Sequence, residues 1–211
     1  MKPILLSLAL ALLMVGCGDG IVDQHNLEDR GGIMYLEGER LPFTGFVTED
    51  FPDGQKKLEG NLKDGKQDGL WTFWYENGQK ELEGNFKNGK SDGLATRWHD
   101  NGQKNVEGNW KDGKEDGLWT NWYENGQKEL ESNYKDGKQD GLWTGWYENG
   151  QKESEGNWKD GKFMSVEGWK PNGEKCPVTN VKDGNGVAVR YNEDGTELNR
   201  WTYKGGELVE D

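Results

Sequence analysis

Residues Gly117 to Asp140 read GLWTNWYENGQKELESNYKDGKQD, and this stretch decides the fold. Asn125-Gly126 sits between WTNWYE and QKELESNYK, two runs in which aromatic and aliphatic residues alternate with polar ones. An Asn-Gly pair in that setting is a strong hairpin signal, because a two-residue type I′ turn needs positive φ at both central residues. Asp136-Gly137 supplies a second pair of the same kind. The unit is predicted as strand, tight turn, strand, tight turn.

The unit recurs with a period of 24 residues. Gly54, Gly78, Gly102, Gly126 and Gly150 form one series, Gly45, Gly69, Gly93, Gly117 and Gly141 a second, and Gly65, Gly89, Gly113, Gly137 and Gly161 a third. A fixed period of this size marks a repeat architecture, in which each unit buries its apolar side against its neighbours. Composition alone points elsewhere. Hydrophobic residues make up 31% of the 211-residue chain and the net charge is −13, values that suit a disordered segment. The 11 Trp, 7 Tyr and 6 Phe argue for order, and 33 Gly at fixed offsets identify turns rather than low complexity.

The expected fold is therefore all-β: an elongated, twisted antiparallel meander of about seven hairpins, with turns near Gly54, Gly78, Gly102, Gly126, Gly150, Gly173 and Gly195. Two strands per unit advance about 10 Å, so the array would be about 65–70 Å long before twist. Regular units cover about residues 45–164 and divergent ones 165–211, within an array spanning 31–211. Residues 32–47 read as an opening strand pair.

Two-residue turns at both ends would sort the side chains onto two faces, since directly opposed residues point the same way. Across Asn77-Gly78, Tyr75 would oppose Lys80, Phe73 would oppose Leu82, and Trp71 would oppose Gly84, a glycine that leaves room for the indole. One face would carry Trp71, Phe73, Tyr75, Leu82 and Phe86. The other would carry Leu70, Thr72, Trp74, Glu81, Glu83 and Asn85. Across Asp136-Gly137, Leu130 would oppose Trp143, which agrees in parity.

The N-terminus carries a separate signal. Residues 1–16 (MKPILLSLALALLMVG) combine Lys2 with an apolar run too short to span a bilayer, as in a secretory signal peptide. Val15-Gly16-Cys17 resembles a bacterial lipobox, which implies cleavage before Cys17, acylation of its thiol and anchoring to the cell envelope. Gly18, rather than Asp, in the following position resembles a lipoprotein sorting signal, which implies the outer membrane where one exists. Residues 17–30 read as the acylated N-terminus and a polar tether. Cys176 then has no disulfide partner and is expected as a lone thiol, open to solvent.

The repeat DGLWTxWYENGQKELEGNxKDGK, preceded by PFTG at Pro42 to Gly45, resembles the bacterial MORN-repeat variant family, often labelled YwqK-type antitoxin repeat proteins. The resemblance covers about residues 27–211 and implies an elongated, twisted array of β-hairpins.

No pattern of nucleophile and base points to an enzyme. His25 falls in the tether, and His99 replaces the Tyr at positions 75, 123 and 147, as a surface substitution would. The repeated Asp-Gly-Lys-x-Asp-Gly loosely resembles a Ca²⁺ loop, but its lysine opposes a cation and turn formation already accounts for the aspartates. No metal and no cofactor are expected. The acidic balance excludes nucleic acid, whose phosphates it would repel. What remains is a candidate binding face: Trp71, Tyr75, Trp110, Trp119, Tyr123, Trp143, Tyr147 and Trp158. Three roles fit it. The leading one is a non-enzymatic envelope lipoprotein, held to the membrane through Cys17, whose repeats present an interaction or scaffold surface to another macromolecule. The second is an antitoxin, which the family label implies. The third is a cell-wall or glycan-binding module using the Trp face.

Overall fold

The computed structural model describes residues 21–209, so Cys17 and the signal segment lie outside the described residues. The strands are β1 (Ile21–Asp23), β2 (Leu27–Asp29), β3 (Met34–Leu36), β4 (Gly45–Asp50), β5 (Lys56–Lys63), β6 (Lys66–Trp74), β7 (Lys80–Lys87), β8 (Lys90–Trp98) and β9 (Lys104–Lys111). They continue as β10 (Lys114–Trp122), β11 (Lys128–Lys135), β12 (Lys138–Trp146), β13 (Lys152–Lys159), β14 (Lys162–Gly168), β15 (Gly186–Tyr191), β16 (Glu197–Lys204) and β17 (Glu207–Val209). Strands β4 to β14 follow one another in a single open antiparallel sheet, with β1 added in parallel beside β4. This is the meander that the 24-residue period predicts. Among the described residues the helical segment is a single 3-10 turn at Gln24–Asn26, and no helix is long and apolar enough to cross a membrane.

The two kinds of turn differ, and the difference matters. At Asp136-Gly137 both residues have positive φ (52° and 81°) and Lys135 pairs with Lys138, a two-residue type I′ turn as expected. At Asn125-Gly126 only Gly126 is left-handed, at φ 82°. There the Gly126 N–H donates to the Tyr123 carbonyl and the Tyr123 N–H to that of Gln127, both at 2.9 Å. The loop is therefore three residues long, Glu124-Asn125-Gly126, and the residue it adds reappears as a bulge. Trp122 pairs with Lys128 but Asn121 with Leu130, so Glu129 stands out of the ladder. The equivalent loop at Gly78 pairs Trp74 with Lys80, not Tyr75 with Lys80, and leaves Glu81 as the bulged residue. Phe73 still opposes Leu82 and Trp71 still opposes Gly84.

A second irregularity lies past each type I′ turn. Tyr134 pairs with Gln139 but Ser132 with Trp143, so Asn133 faces Asp140, Gly141 and Leu142 together. Leu130 consequently opposes Gly145 rather than Trp143. The excess is two residues, so the face assignment survives although the partner changes. The Asn133 amide spans the gap by donating to the Leu142 carbonyl at 2.8 Å.

Glycine is indispensable where an indole lies on the sheet. A Cβ on Gly108 would sit 2.2 Å from Cδ2 of Trp119, and one on Gly60 equally close to Trp71. Each ring rests on the strand before its own and donates its N–H to a carbonyl there, Trp71 to Asn61 at 3.0 Å and Trp119 to Asn109 at 3.2 Å. The glycine that makes room for Trp71 is thus Gly60, not the Gly84 inferred from the turn. In the next repeat Ser132 occupies the corresponding place. Trp143 cannot lean that way and instead lies near Gly156, with its indole N–H buried and without a partner.

The ends of the sheet are covered. Residues 21–30, expected to be a tether, form β1, the 3-10 turn and β2, because Leu27 finds apolar contact on the sheet. Residues 32–47 pair with one another only through the antiparallel Tyr35–Pro42 bridge, with the Phe43 N–H donating to the Met34 carbonyl at 2.9 Å; β3 pairs with β2, and β4 enters the main sheet. Leu27, Met34 and Phe43 close over Val47, Leu58, Leu62 and Trp71, the first core. At the other end the hairpin at Gly173 is reduced to one bridge, Trp169 to Lys175, while the one at Gly195 joins β15 and β16 in a separate three-stranded sheet with β17. The intervening chain protects the last edge. The Cys176 N–H donates to Gly168, that of Gly184 to Met164 and that of Val166 to Val181. Phe163, Val166 and Val181 form the second core, under Ala188 and Tyr203.

The substitutions Gly108→Ala and Gly84→Ala separate the two glycine roles. A Cβ on Gly84 would meet Ala95 at 3.5 Å, an ordinary contact. Gly108→Ala is expected to cost about 2 kcal/mol of stability through forced displacement of the indole, and Gly84→Ala at most about 0.5 kcal/mol. Chemical denaturation of both variants checks this.

Candidate functional site: the aromatic face between the caps

The aromatic residues do not form one continuous ladder. They fall into three groups. Trp71 stacks with Phe73 at 6.1 Å between ring centres, in the first core. Trp110 meets Trp119 edge-on at 5.2 Å, and Trp119 meets Tyr134 at 6.1 Å. Phe163 gathers Trp143, Trp158 and Tyr203 in the second core. Two substitutions make the breaks. Ala95 stands where its neighbours have tryptophan, and Ser132 turns Trp143 away from the middle group.

The candidate binding residues consequently differ in availability. Trp71 is 5% exposed beneath the N-terminal cap, and Tyr147 is equally buried. Neither presents a surface. Trp143 and Trp158 are half-buried against the second core. Tyr75 and Tyr123 are half-buried, and their hydroxyls serve the stack: Tyr75 donates to the Trp98 carbonyl at 2.7 Å and Tyr123 to that of Trp146 at 2.6 Å, each in the next repeat. Tyr147 does the same to Trp169 at 2.8 Å. His99 is more than a surface substitution, since its Nε2 takes the same place 2.9 Å from the Trp122 carbonyl. Trp110, Trp119 and Tyr134 are half-buried with neither cap over them, and they form the open centre of the face.

The bulge changes the chemistry of this face. Glu81, expected on the opposite side with Glu83, turns instead to the aromatic side, where Arg97 Nη2 reaches it at 2.8 Å. Its equivalents Glu129 and Glu153 follow, and Asn105 at the same position contacts His99. A column of carboxylates therefore borders the rings. Burial pushes Tyr123 up to about 12, with Glu129 and Glu153 adding to the effect. Cys176 continues this column and is 2% exposed, not open to solvent, because the segment that carries it closes the edge of β14. Its thiol lies 3.0 Å from the Tyr191 hydroxyl. Burial raises it, but hydrogen bonds from Thr179 and Tyr191 outweigh burial and leave it below the ordinary thiol value.

The outer face carries a ladder that periodicity alone did not reveal. Lys80 lies over the ring of Trp98, Lys104 over Trp122, Lys128 over Trp146 and Lys152 over Trp169, with 5.2 to 5.8 Å from ammonium to ring centre. Each lysine also pairs with the glutamate three residues on, as Lys152 does with Glu155 at 2.6 Å. These stems and rings bury Thr72, Thr96, Thr120 and Thr144 beneath them. Lys80, Lys104 and Lys128 each lie 18 residues before their tryptophan and Lys152 lies 17 before Trp169, a signal visible in the sequence once the strands are paired.

The arrangement defines a class: a tandem-hairpin β-repeat protein with an open sheet and covered ends. Its four central units, residues 67–88, 91–112, 115–136 and 139–160, each match the MORN repeat variant family. No curated protein matches the chain. Repeats of this kind are generally non-catalytic. Among the described residues no three His, Cys, Asp or Glu side chains converge as a metal site would require.

Glu153 offers a test of the face's electrostatics. Burial raises its carboxyl above the ordinary value; the ion pair with Arg190, at 2.6 Å, offsets this only in part, and Glu129 adds to the rise. A folded-state value above the unfolded one means that Glu153 favours folding in acid, and that this contribution is lost as pH rises through the elevated value. Glu153→Gln is thus expected to melt at or above the wild-type temperature at pH 7, and to lose that advantage below about pH 4.3, the ordinary glutamate value. A deficit at pH 7 that closes in acid would show that the Arg190 pair dominates instead.

Proposed function

We propose that this protein is a non-enzymatic, lipid-anchored envelope protein whose MORN-type repeats act as an interaction surface for another protein. The observation that carries the reading is the open centre of the aromatic face. Trp110, Trp119 and Tyr134 are half-buried and pack against neither end core, while Trp71 is buried in the first and Trp143 and Trp158 lie against the second. Half-buried aromatic rings suit the central part of a protein interface, and the carboxylates that border them suit its polar rim. The lipobox at Val15 to Cys17 supports an envelope location, and an acylated Cys17 would hold the array at the membrane while leaving the sheet free.

Two measurements test the two halves of the proposal. Radiolabelled palmitate should enter the protein and be lost in Cys17→Ala. Affinity capture from detergent-solubilised envelope should recover a partner with the wild-type chain, and Trp110→Ala should reduce recovery about tenfold or more, as loss of a central aromatic contact does. Cytosolic recovery without palmitate would favour the antitoxin role, and undiminished capture by Trp110→Ala would remove the open centre as the contact.

A further inference from the structure

A cavity of about 340 Å³ lies between the aromatic side of the sheet and the C-terminal three-stranded sheet. It is separate from the open centre, and its walls come from distant parts of the chain. Trp143 and Trp158 belong to the repeats, while Trp201 and Tyr203 belong to β16. Gly145 stands where the preceding units have Phe73, Arg97 and Asn121, and the missing side chain helps leave the space. The volume is in the range of small-molecule sites.

The charges at the wall select the ligand. Glu129 and Glu153 both reach it through the bulge that turns this column to the aromatic side. Arg190 also lines it, but its guanidinium is engaged by Glu153 through Nε at 2.6 Å. Glu129 has no ion-pair partner among the described residues. One cation against two carboxylates leaves the wall one negative charge in excess. Four aromatic side chains, Trp143, Trp158, Trp201 and Tyr203, line the same cavity, and aromatic rings attract a cation. An anion would meet this excess and the overall charge of −13.

We propose that this cavity binds a small organic cation bearing an alkylated ammonium group, held by Glu129 and Glu153 and enclosed by Trp143, Trp158, Trp201 and Tyr203. The Arg190 pair orients Glu153 so that a carboxylate stays at the wall. The caps then have two roles, since the one at the C-terminal end closes the array and also completes a pocket that the repeats alone lack.

Calorimetric titration of the full-length chain in neutral detergent tests this. The probe is choline chloride, compared with 3,3-dimethyl-1-butanol, which has the same shape with carbon in place of the charged nitrogen. Choline should bind saturably with one site per chain, and the neutral isostere about tenfold or more weakly. Glu129→Gln and Trp201→Ala should each weaken choline about tenfold, with thermal midpoints showing that both variants are folded. Glu76→Gln, at an exposed loop position outside the cavity, should titrate as the wild type does. Equal binding of the isostere, saturation by glucose but not choline, no saturable heat with millimolar choline, or wild-type affinity in both folded variants would each overturn the proposal.

Discussion

The fold depends on where the chain puts its extra residue. Each repeat closes one side with a two-residue turn, followed by a two-residue excess that keeps the faces, and the other with a three-residue loop, followed by a one-residue bulge that shifts them. That bulge carries Glu81, Glu129 and Glu153 from the solvent face to the aromatic face. A sheet with two-residue turns throughout would have one apolar side and one acidic side. This sheet has rings and carboxylates together on one side, and a lysine–glutamate–tryptophan ladder on the other.

Thin sheets need some means of holding successive units in register, because a hydrophilic chain has little apolar area to bury. The repeats use three contacts that each join neighbours. An indole rests on the glycine of the preceding strand, a tyrosine hydroxyl reaches a carbonyl of the following unit, and a lysine covers the ring of the unit after its own. Contributions of about 1 kcal/mol each, from ring packing and from hydrogen bonding, suffice when repeated along the array. The ends lack a neighbour on one side, and there the chain departs from the period to supply caps with ordinary hydrophobic cores.

Much of this is legible in the residues. The period, the all-β class, the type I′ turns at Asp-Gly and the pairs Trp71–Gly84 and Phe73–Leu82 all follow from spacing. The loop at Asn-Gly does not, because the dipeptide suits a two-residue turn and a three-residue loop equally well, and only the backbone decides that Asn125 stays right-handed. Spacing alone puts Glu81 on the solvent side for that reason, and the bulge puts it on the other. That divergent ends cap the array follows from the repeat itself, but which residues do so does not: Leu27, Met34 and Phe43 carry no period, and their role appears only when they fold back over Trp71. The gap at Ala95 and the turning of Trp143 follow from single substitutions, whose effect depends on which strand each indole leans upon.

The most direct test of this account is the side of the sheet on which Glu129 lies. A carbon-edited NOESY spectrum of the isotopically labelled chain would read it. The bulged register predicts contacts from the Glu129 Hγ protons to the ring of Tyr123. Contacts to Thr120 and Glu131 without any to Tyr123 would place Glu129 on the solvent face and contradict the register from which the rest is built.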